Sequence, residues 1–273
     1  MLAARGGARA DRFLSVQSES CMIINFTHAF IFIHVPKTAG TSASRHLSTF
    51  TGAEDIDINS SRASAHWDEF GLRKHTPAQE IQSFLGTRQF ERLFKFAFVR
   101  NPYERIYSLY KFLKFNWRSW PGSEIMDGFA SLESFLQSDF FREATTKESI
   151  DDRLLRSQVF WLCDAQGRIM CDFVGRVESF EADFEHICSQ IGLPLPDPGV
   201  EPANVGGRPE FRVSWRNRVL VELGLRKGAP PPPQGPLPSL QEAFASPASR
   251  GIVLEHYSED FTTFGYDTEL PRT

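Results

Sequence analysis

The sequence predicts a single-domain α/β protein, built on a P-loop-like parallel β-sheet with helices on both faces. Two apolar strands support this fold, one at residues 31–35 and one at Phe94–Val99, and each runs directly into a turn and a helix. Strands without polar alternation are typical of a parallel sheet that is covered on both sides. A chain of 273 residues, 41% of them hydrophobic, is long enough for one such domain.

The further elements follow in the same alternating order. We expect a helix over residues 41–50 and another that is capped by Thr76 and has Pro77 in its first turn. The helix after the second strand begins at Pro102 and buries its apolar positions at helical spacing. A helix, a strand, a helix capped by Ser179 and a last helix are expected at residues 154–162, 169–174, 179–191 and 252–261.

The two ends of the domain and one internal stretch are defined by composition. Residues 1–21 are rich in Arg, Ala, Gly and Ser and are expected to form a disordered N-terminal extension, so the domain itself covers residues 22–273. Residues 213–248 contain a run of four prolines at residues 230–233 and are expected to form an irregular insertion.

Charge and cysteine content restrict the possible partners. The formal net charge of -4 argues against general binding to nucleic acid or to an anionic membrane, so any anion site must be local. The four cysteines follow no C-x-x-C pattern, which favours a reducing compartment. No apolar run reaches the length of a membrane span. We therefore expect a soluble, cytoplasmic protein.

The turn after Val35 has the composition of a phosphate-binding loop. Lys37 supplies a charge, Gly40 permits close backbone approach, and Thr41 and Ser42 supply hydroxyls. A helix that starts there directs its unpaired N–H groups and its positive dipole end at the same point. An ordinary strand-turn-helix connection is the alternative interpretation.

A second loop of this kind follows Phe94–Val99. Arg100 stands at the end of the strand and Ser108 lies on the next helix, and both side chains could reach one phosphate. Ligands of open parallel sheets bind beyond the carboxyl ends of the strands. Two such loops suit a nucleotide with phosphates at both ends of its ribose, although Arg100 could instead form a surface ion pair.

These motifs resemble those of a known family. Residues 32–42 resemble the 5′-phosphosulfate loop of sulfotransferases, and residues 98–105 with Ser108 resemble their 3′-phosphate motif; residues 172–184 and 260–266 are similar to the carbohydrate-type branch. The resemblance implies a small-molecule donor, 3′-phosphoadenosine 5′-phosphosulfate, and in-line transfer of its sulfuryl group to an acceptor hydroxyl, with a carbohydrate favoured. The donor-binding residues it implies are Lys37, Thr38, Ala39, Gly40, Thr41, Ser42, Arg100 and Ser108, and Lys37 is also implied to stabilise the leaving oxygen.

The acceptor must lose a proton, and His75 is the expected base. Histidine has a nearly neutral pKa, and His75 matches the position of a histidine in carbohydrate-type relatives. His66 is the alternative, and Glu54, Asp55 or Glu69 could serve as carboxylate bases. Gln158 could lie beside the substrate cleft or pack at the edge of the core.

Two other functions remain open from the sequence. A P-loop phosphotransferase is the first, and Asp172 could imitate the acidic residue that such enzymes place at the end of a strand. However, Lys37 precedes Gly40, which is not the kinase order, and we expect no metal. The second is a protein that binds the donor without turnover.

Overall fold

A computed structural model describes residues 20–59, 71–116, 123–146, 153–195 and 237–272. The described strands form one sheet in the order β3-β1-β2-β4-β5. Their bounds are β1 Ser20–Asn25, β2 Phe30–Ile33, β3 Ile56–Asn59, β4 Phe94–Val99 and β5 Phe173–Arg176.

The centre of the sheet is parallel, as predicted, because β2 pairs with β4 and β4 with β5 in parallel. The strand pairing on the β1 side of the sheet differs from the prediction. Strand β1 pairs antiparallel with both β2 and β3, so the sheet is mixed. β1 begins at Ser20, two residues before the expected start of the domain, and forms a hairpin with β2 through a turn in which Ala29 has a φ of 54°.

The described α-helices cover both faces of this sheet. Their bounds are α1 Gly40–Leu47, α2 Ala78–Leu85, α3 Thr87–Arg92, α4 Pro102–Lys111, α5 Leu132–Leu136, α6 Asp139–Ala144, α7 Gln158–Leu162, α8 Phe180–Ile191, α9 Leu240–Ala243, α10 Pro247–His256 and α11 Ser258–Thr263. A π-helical segment, Phe112–Asn116, continues α4.

The core follows from the alternation of side chains along the strands. In β2, Ile31 and Ile33 pack on one face of the sheet with Trp161 of α7. Phe30 and Phe32 pack on the other face with residues of α1 and α8. All four residues of β2 are buried, as expected for a strand between two helical layers.

Several predicted helix boundaries were wrong. Thr76 does not cap α2, because its hydroxyl exchanges hydrogen bonds with Arg73, and the residue at the cap is Pro77. Ser179 stands at the N-cap position of α8, as predicted, but its hydroxyl donates to Asp183 and accepts no hydrogen bond from the first turn. The expected last helix is divided into α10 and α11 at Tyr257.

The predicted irregular insertion lies largely outside the described residues. Its last part, residues 237–248, is described, and there the chain is helical rather than irregular. Ser239 and Glu242 form a capping box at the start of α9, and Ser246 caps α10. A capping box supplies partners to N–H groups that a short helix would otherwise leave unpaired. Residues 1–19 of the predicted extension also lie outside the described residues.

Candidate active site

The β2 loop, residues 34–39, joins β2 to α1 and has an unusual backbone. Lys37 and Ala39 both adopt positive φ angles, 68° and 57°, although neither is glycine. When left-handed residues alternate with ordinary ones, the successive backbone N–H groups turn toward one point and form an anion-binding concavity. The Thr38 hydroxyl donates to the Val35 carbonyl at 2.9 Å and closes the loop. Because that hydroxyl is used internally, the N–H group of Thr38 is the part of the residue suited to a ligand.

Gly40 is required at the start of α1 by the ring of His34. A Cβ at this position would lie 1.8 Å from Cδ2 and 1.9 Å from Nε2 of that imidazole. Such distances are far inside van der Waals contact. Gly40 was expected to permit the close approach of a ligand oxygen, whereas the close approach in the structure is to His34.

His34 lies beneath the loop and is 4% exposed. Its ring stacks on Phe32 with 5.9 Å between centroids and contacts the ring of His75 at 4.5 Å. Burial lowers the pKa of His34 well below its usual value, and the charges of His75, Lys74 and Lys37 lower it further. The imidazole is therefore neutral at physiological pH, and it forms a rigid floor for the loop.

His75 is held next to the loop by the backbone of His34. Its Nδ1 lies 2.9 Å from the His34 carbonyl oxygen. A carbonyl only accepts hydrogen bonds, so Nδ1 carries the proton and Nε2 keeps a lone pair. Burial lowers the pKa of His75 to about 3, Lys74 and Lys37 lower it as well, and the hydrogen bond to His34 opposes them. His75 thus presents a neutral ring with one basic nitrogen.

The ammonium group of Lys37 lies over the ring of Phe112, 4.5 Å from its centroid. Phe112 is the first residue of the π-helical segment after α4. Such segments occur frequently at functional sites, because they change the direction of side chains along a helix. The contact shows that the end of α4 lies against the β2 loop.

The β4 loop, residues 100–101, leads from β4 into α4. Asn101 caps this helix by accepting from the N–H of Tyr103 at 3.0 Å, and Pro102 occupies the first turn. Arg100 pairs through Nε with Glu104 at 3.0 Å. Ser108 lies further along α4 with a half-buried side chain. Because β2 and β4 are parallel neighbours, both loops lie at the same edge of the sheet.

Comparison with known proteins agrees with this geometry. A model of the sulfotransferase family matches residues 20–267. The chain belongs to the sulfotransferase family. It is 28% identical over 187 residues to carbohydrate sulfotransferase 14 of Danio rerio, a match that covers 63% of this chain and 48% of that protein. The chain therefore spans about half the length of the curated relative it matches. No solved structure matches.

Gln158 supports the β4 loop through the backbone of Arg100. Its side chain accepts from the Arg100 N–H at 2.8 Å and donates to the Arg100 carbonyl at 2.9 Å. Asp260, which is fully buried, accepts at 2.9 Å from the N–H groups of both Gln158 and Val159. The role of Asp260 was not predicted from the sequence, where the similarity of residues 260–266 to the family is the one signal for it.

Arg105 of the second motif has a structural role. It is fully buried, and its guanidinium donates to the Arg156 carbonyl at 2.6 Å. It also lies over the ring of Tyr257 at 5.4 Å. These contacts connect α4 to the segment before α7 and to the end of α10.

Two of the three carboxylates proposed from the sequence, Glu54 and Asp55, lie away from the loops. Asp55 accepts from the N–H groups of Phe26 and Thr27, which lie in the turn before β2. That turn lies at the amino end of β2, whereas the loops lie at the carboxyl ends of β2 and β4, so Asp55 and the adjacent Glu54 cannot act as the base. His66 and Glu69 lie outside the described residues.

Asp172 also lies at the amino ends of the parallel strands, away from the loops, and this position excludes it from a phosphotransferase site. It precedes β5 and pairs with the ammonium of Lys95 at 2.7 Å, at the start of β4. An acidic residue that assists phosphoryl transfer would have to follow the strand, next to the phosphate loop.

The described part of the chain holds neither a candidate metal cluster nor a candidate membrane span. No group of three His, Cys, Asp or Glu residues is placed there to hold a metal ion. No described helix is long and apolar enough to cross a membrane.

Proposed function

We propose that this member of the sulfotransferase family transfers the sulfuryl group of 3′-phosphoadenosine 5′-phosphosulfate to a hydroxyl of a carbohydrate. The observation that carries this proposal is the position of the β2 and β4 loops side by side at the carboxyl edge of two adjacent parallel strands. One loop is suited to the 5′ end of the donor and the other to its 3′-phosphate. The carbohydrate acceptor is inferred from the name of the matched relative.

The β2 loop would bind the 5′ end of the donor through charge and hydrogen bonds. The N–H groups of residues 38–41 and the hydroxyls of Thr41 and Ser42 supply neutral donors, whereas the N–H of Ser42 already donates to the Ala39 carbonyl at 2.9 Å. Lys37 would stabilise the bridging oxygen, which gains negative charge as its bond to sulfur breaks. The ring of Phe112 supports the ammonium of Lys37 close to this position.

His75 would accept the proton of the attacking hydroxyl at Nε2. As the acceptor oxygen bonds to sulfur, its proton moves to His75 and the electron pair of the broken bond remains on the leaving phosphate. A pKa of about 3 makes a weak base, but part of that depression comes from Lys74 and Lys37. The negative charge of the bound donor offsets these cations, so donor binding raises the pKa of His75 toward the range useful for catalysis.

The first experiment tests the ligand. Isothermal titration calorimetry compares adenosine 3′,5′-bisphosphate with ATP plus magnesium. We expect binding of the bisphosphate and little binding of ATP. Preferential binding of ATP with magnesium would overturn the proposed function.

The second experiment tests transfer. Labelled sulfate is followed from the phosphosulfate donor to a panel of desulfated glycans. We expect Lys37→Ala to lower turnover about 10²- to 10³-fold and His75→Ala about 10²- to 10⁴-fold. Arg88→Ala is the matched control, because Arg88 is exposed on α3, away from both loops. Bisphosphate binding without transfer to any glycan would identify a donor-binding protein, and full activity of His75→Ala would exclude His75 as the base.

A further inference from the structure

One face of α4 carries a polar stripe that extends beyond the predicted site. Glu104, Ser108 and Lys111 are spaced by four and three residues, so they lie on the same side of the helix. The guanidinium of Arg100 lies on this side too, because its Nε is 3.0 Å from Glu104. Phe112 follows Lys111 and contacts Lys37 of the β2 loop. The start of this stripe therefore lies beside the β4 loop, and the residue that follows its end lies against the β2 loop.

Arg100, Glu104 and Ser108 together carry too little positive charge to neutralise a bound phosphate. A phosphate monoester carries a charge of about -1.5 to -2 at neutral pH. The charge of Arg100 is compensated by Glu104, and Ser108 is neutral. The Nε of Arg100 is occupied by Glu104, although its other N–H donors can still turn to a phosphate. A second cation is needed for a doubly charged group to bind well here.

Lys111 is placed to supply that cation. Its ammonium lies over the ring of Tyr107, 4.3 Å from the centroid, one turn earlier on α4. Burial lowers the pKa of Lys111, and the charge of Arg100 lowers it further while Glu104 raises it. Two cations are thus held close enough to repel each other. An anion bound between them would relieve the repulsion.

We propose that Lys111 binds the 3′-phosphate of the donor together with Arg100 and Ser108. This inference rests on the proposed function, because it assumes a donor with a 3′-phosphate. Lys111 would act as a specificity residue that separates this donor from nucleotides lacking that group. Arg100 and Ser108 would orient the phosphate by hydrogen bonds, and Lys111 would complete the charge balance.

The test compares two ligands that differ only in the 3′-phosphate, adenosine 3′,5′-bisphosphate and adenosine 5′-phosphate, by calorimetry. We expect Lys111→Met to weaken binding of the bisphosphate about 10- to 100-fold, as for loss of one charged hydrogen bond, and to leave the 5′-phosphate unaffected. Lys111→Arg should keep most of the preference. Lys114→Met is the control for the loss of a cation over a tyrosine ring, because Lys114 lies 5.5 Å from the centroid of Tyr110; its ammonium also donates to the Phe129 carbonyl.

The outcomes separate this inference from the proposed function. Unchanged binding of the bisphosphate by Lys111→Met, or equal losses for both ligands, would overturn the role of Lys111 while leaving the proposed function intact. A wild-type protein that shows no preference for the bisphosphate would overturn both. Thermal melting of each variant controls for folding, and Lys111→Arg provides a second test if Lys111→Met is unstable.

Discussion

Gly40→Ala tests whether the β2 loop is built on the ring of His34. The new methyl group would lie 1.8 Å and 1.9 Å from two ring atoms, about half of an ordinary contact distance. The ring has little room to move, since Phe32 stacks on it and His75 touches it. Overpacking costs about 1–3 kcal/mol, and we expect a loss near the upper end, about 3 kcal/mol. That loss corresponds to a fall in melting temperature of roughly 6–12 °C.

The assay is urea denaturation of Gly40→Ala, of His34→Ala and of the double variant. Removal of the ring makes room for the methyl group, so Gly40→Ala should cost less than about 0.5 kcal/mol in the His34→Ala background. Gly251→Ala in α10 is the control, because open space surrounds its Cβ position. It should gain about 0.5–1 kcal/mol from better helix propensity. A Gly40→Ala protein as stable as the wild type, or one not rescued by His34→Ala, would refute the reasoning.

Three further predictions concern His75, Phe112 and Asp260. The pKa of His75 is about 3 in the folded state and near 6.5 in the unfolded chain, so the unfolded chain binds more protons between these values. Protonation of His75 should therefore lower the free energy of unfolding below pH 6.5 by up to about 1.4 kcal/mol per pH unit, in addition to the contribution of His34, whose pKa is lowered as well. His75→Gln should remove the His75 part of this slope. Denaturation at pH 7.5, 6 and 5 measures the slope, and equal slopes for the variant and the wild type would contradict the assignment. Phe112→Leu removes the ring beneath Lys37 and should lower turnover about 2- to 10-fold, with little effect on the affinity for the bisphosphate. Phe112→Tyr should keep both the turnover and the affinity. Wild-type turnover of the Leu variant would show that the ring is dispensable. Asp260→Ala leaves two buried N–H groups of α7 without partners and should destabilise the protein by about 3–5 kcal/mol, measured by urea denaturation; a loss below 1 kcal/mol would contradict the buried cap.

The two loops could be predicted because their signals are local. Each consists of an apolar strand, a turn of distinctive composition and a helix within about twenty residues. The parallel pairing of β2 with β4 follows from the same pattern and was confirmed. The antiparallel strand β1 could not be recognised in this way, because the connection between β1 and β2, residues 26–29, has no turn signal of the usual Asn-Gly kind.

The supports of the site were harder to predict because they are distant in sequence. Asp260 and Gln158 are 102 residues apart, and α7 has only five residues, too few to show a helical period. The side chain of Thr76 offered a capping pattern but formed a local turn with Arg73 instead. The burial of His34 could be expected from its place in an apolar strand. Its ring, however, fills the space that a Cβ at residue 40 would occupy, and this arrangement depends on tertiary packing alone.

The hydrogen bonds of Gln158 have a consequence for how the protein can be divided. Gln158 holds Arg100 in the first half of the chain, and its own N–H is held by Asp260 in α11. The carboxylate near the end of the chain thus belongs to the same continuous scaffold as the residue expected to meet the 3′-phosphate. A fragment that keeps the β2 and β4 loops but ends before α11 would lose this scaffold, so we expect it not to fold as an independent module.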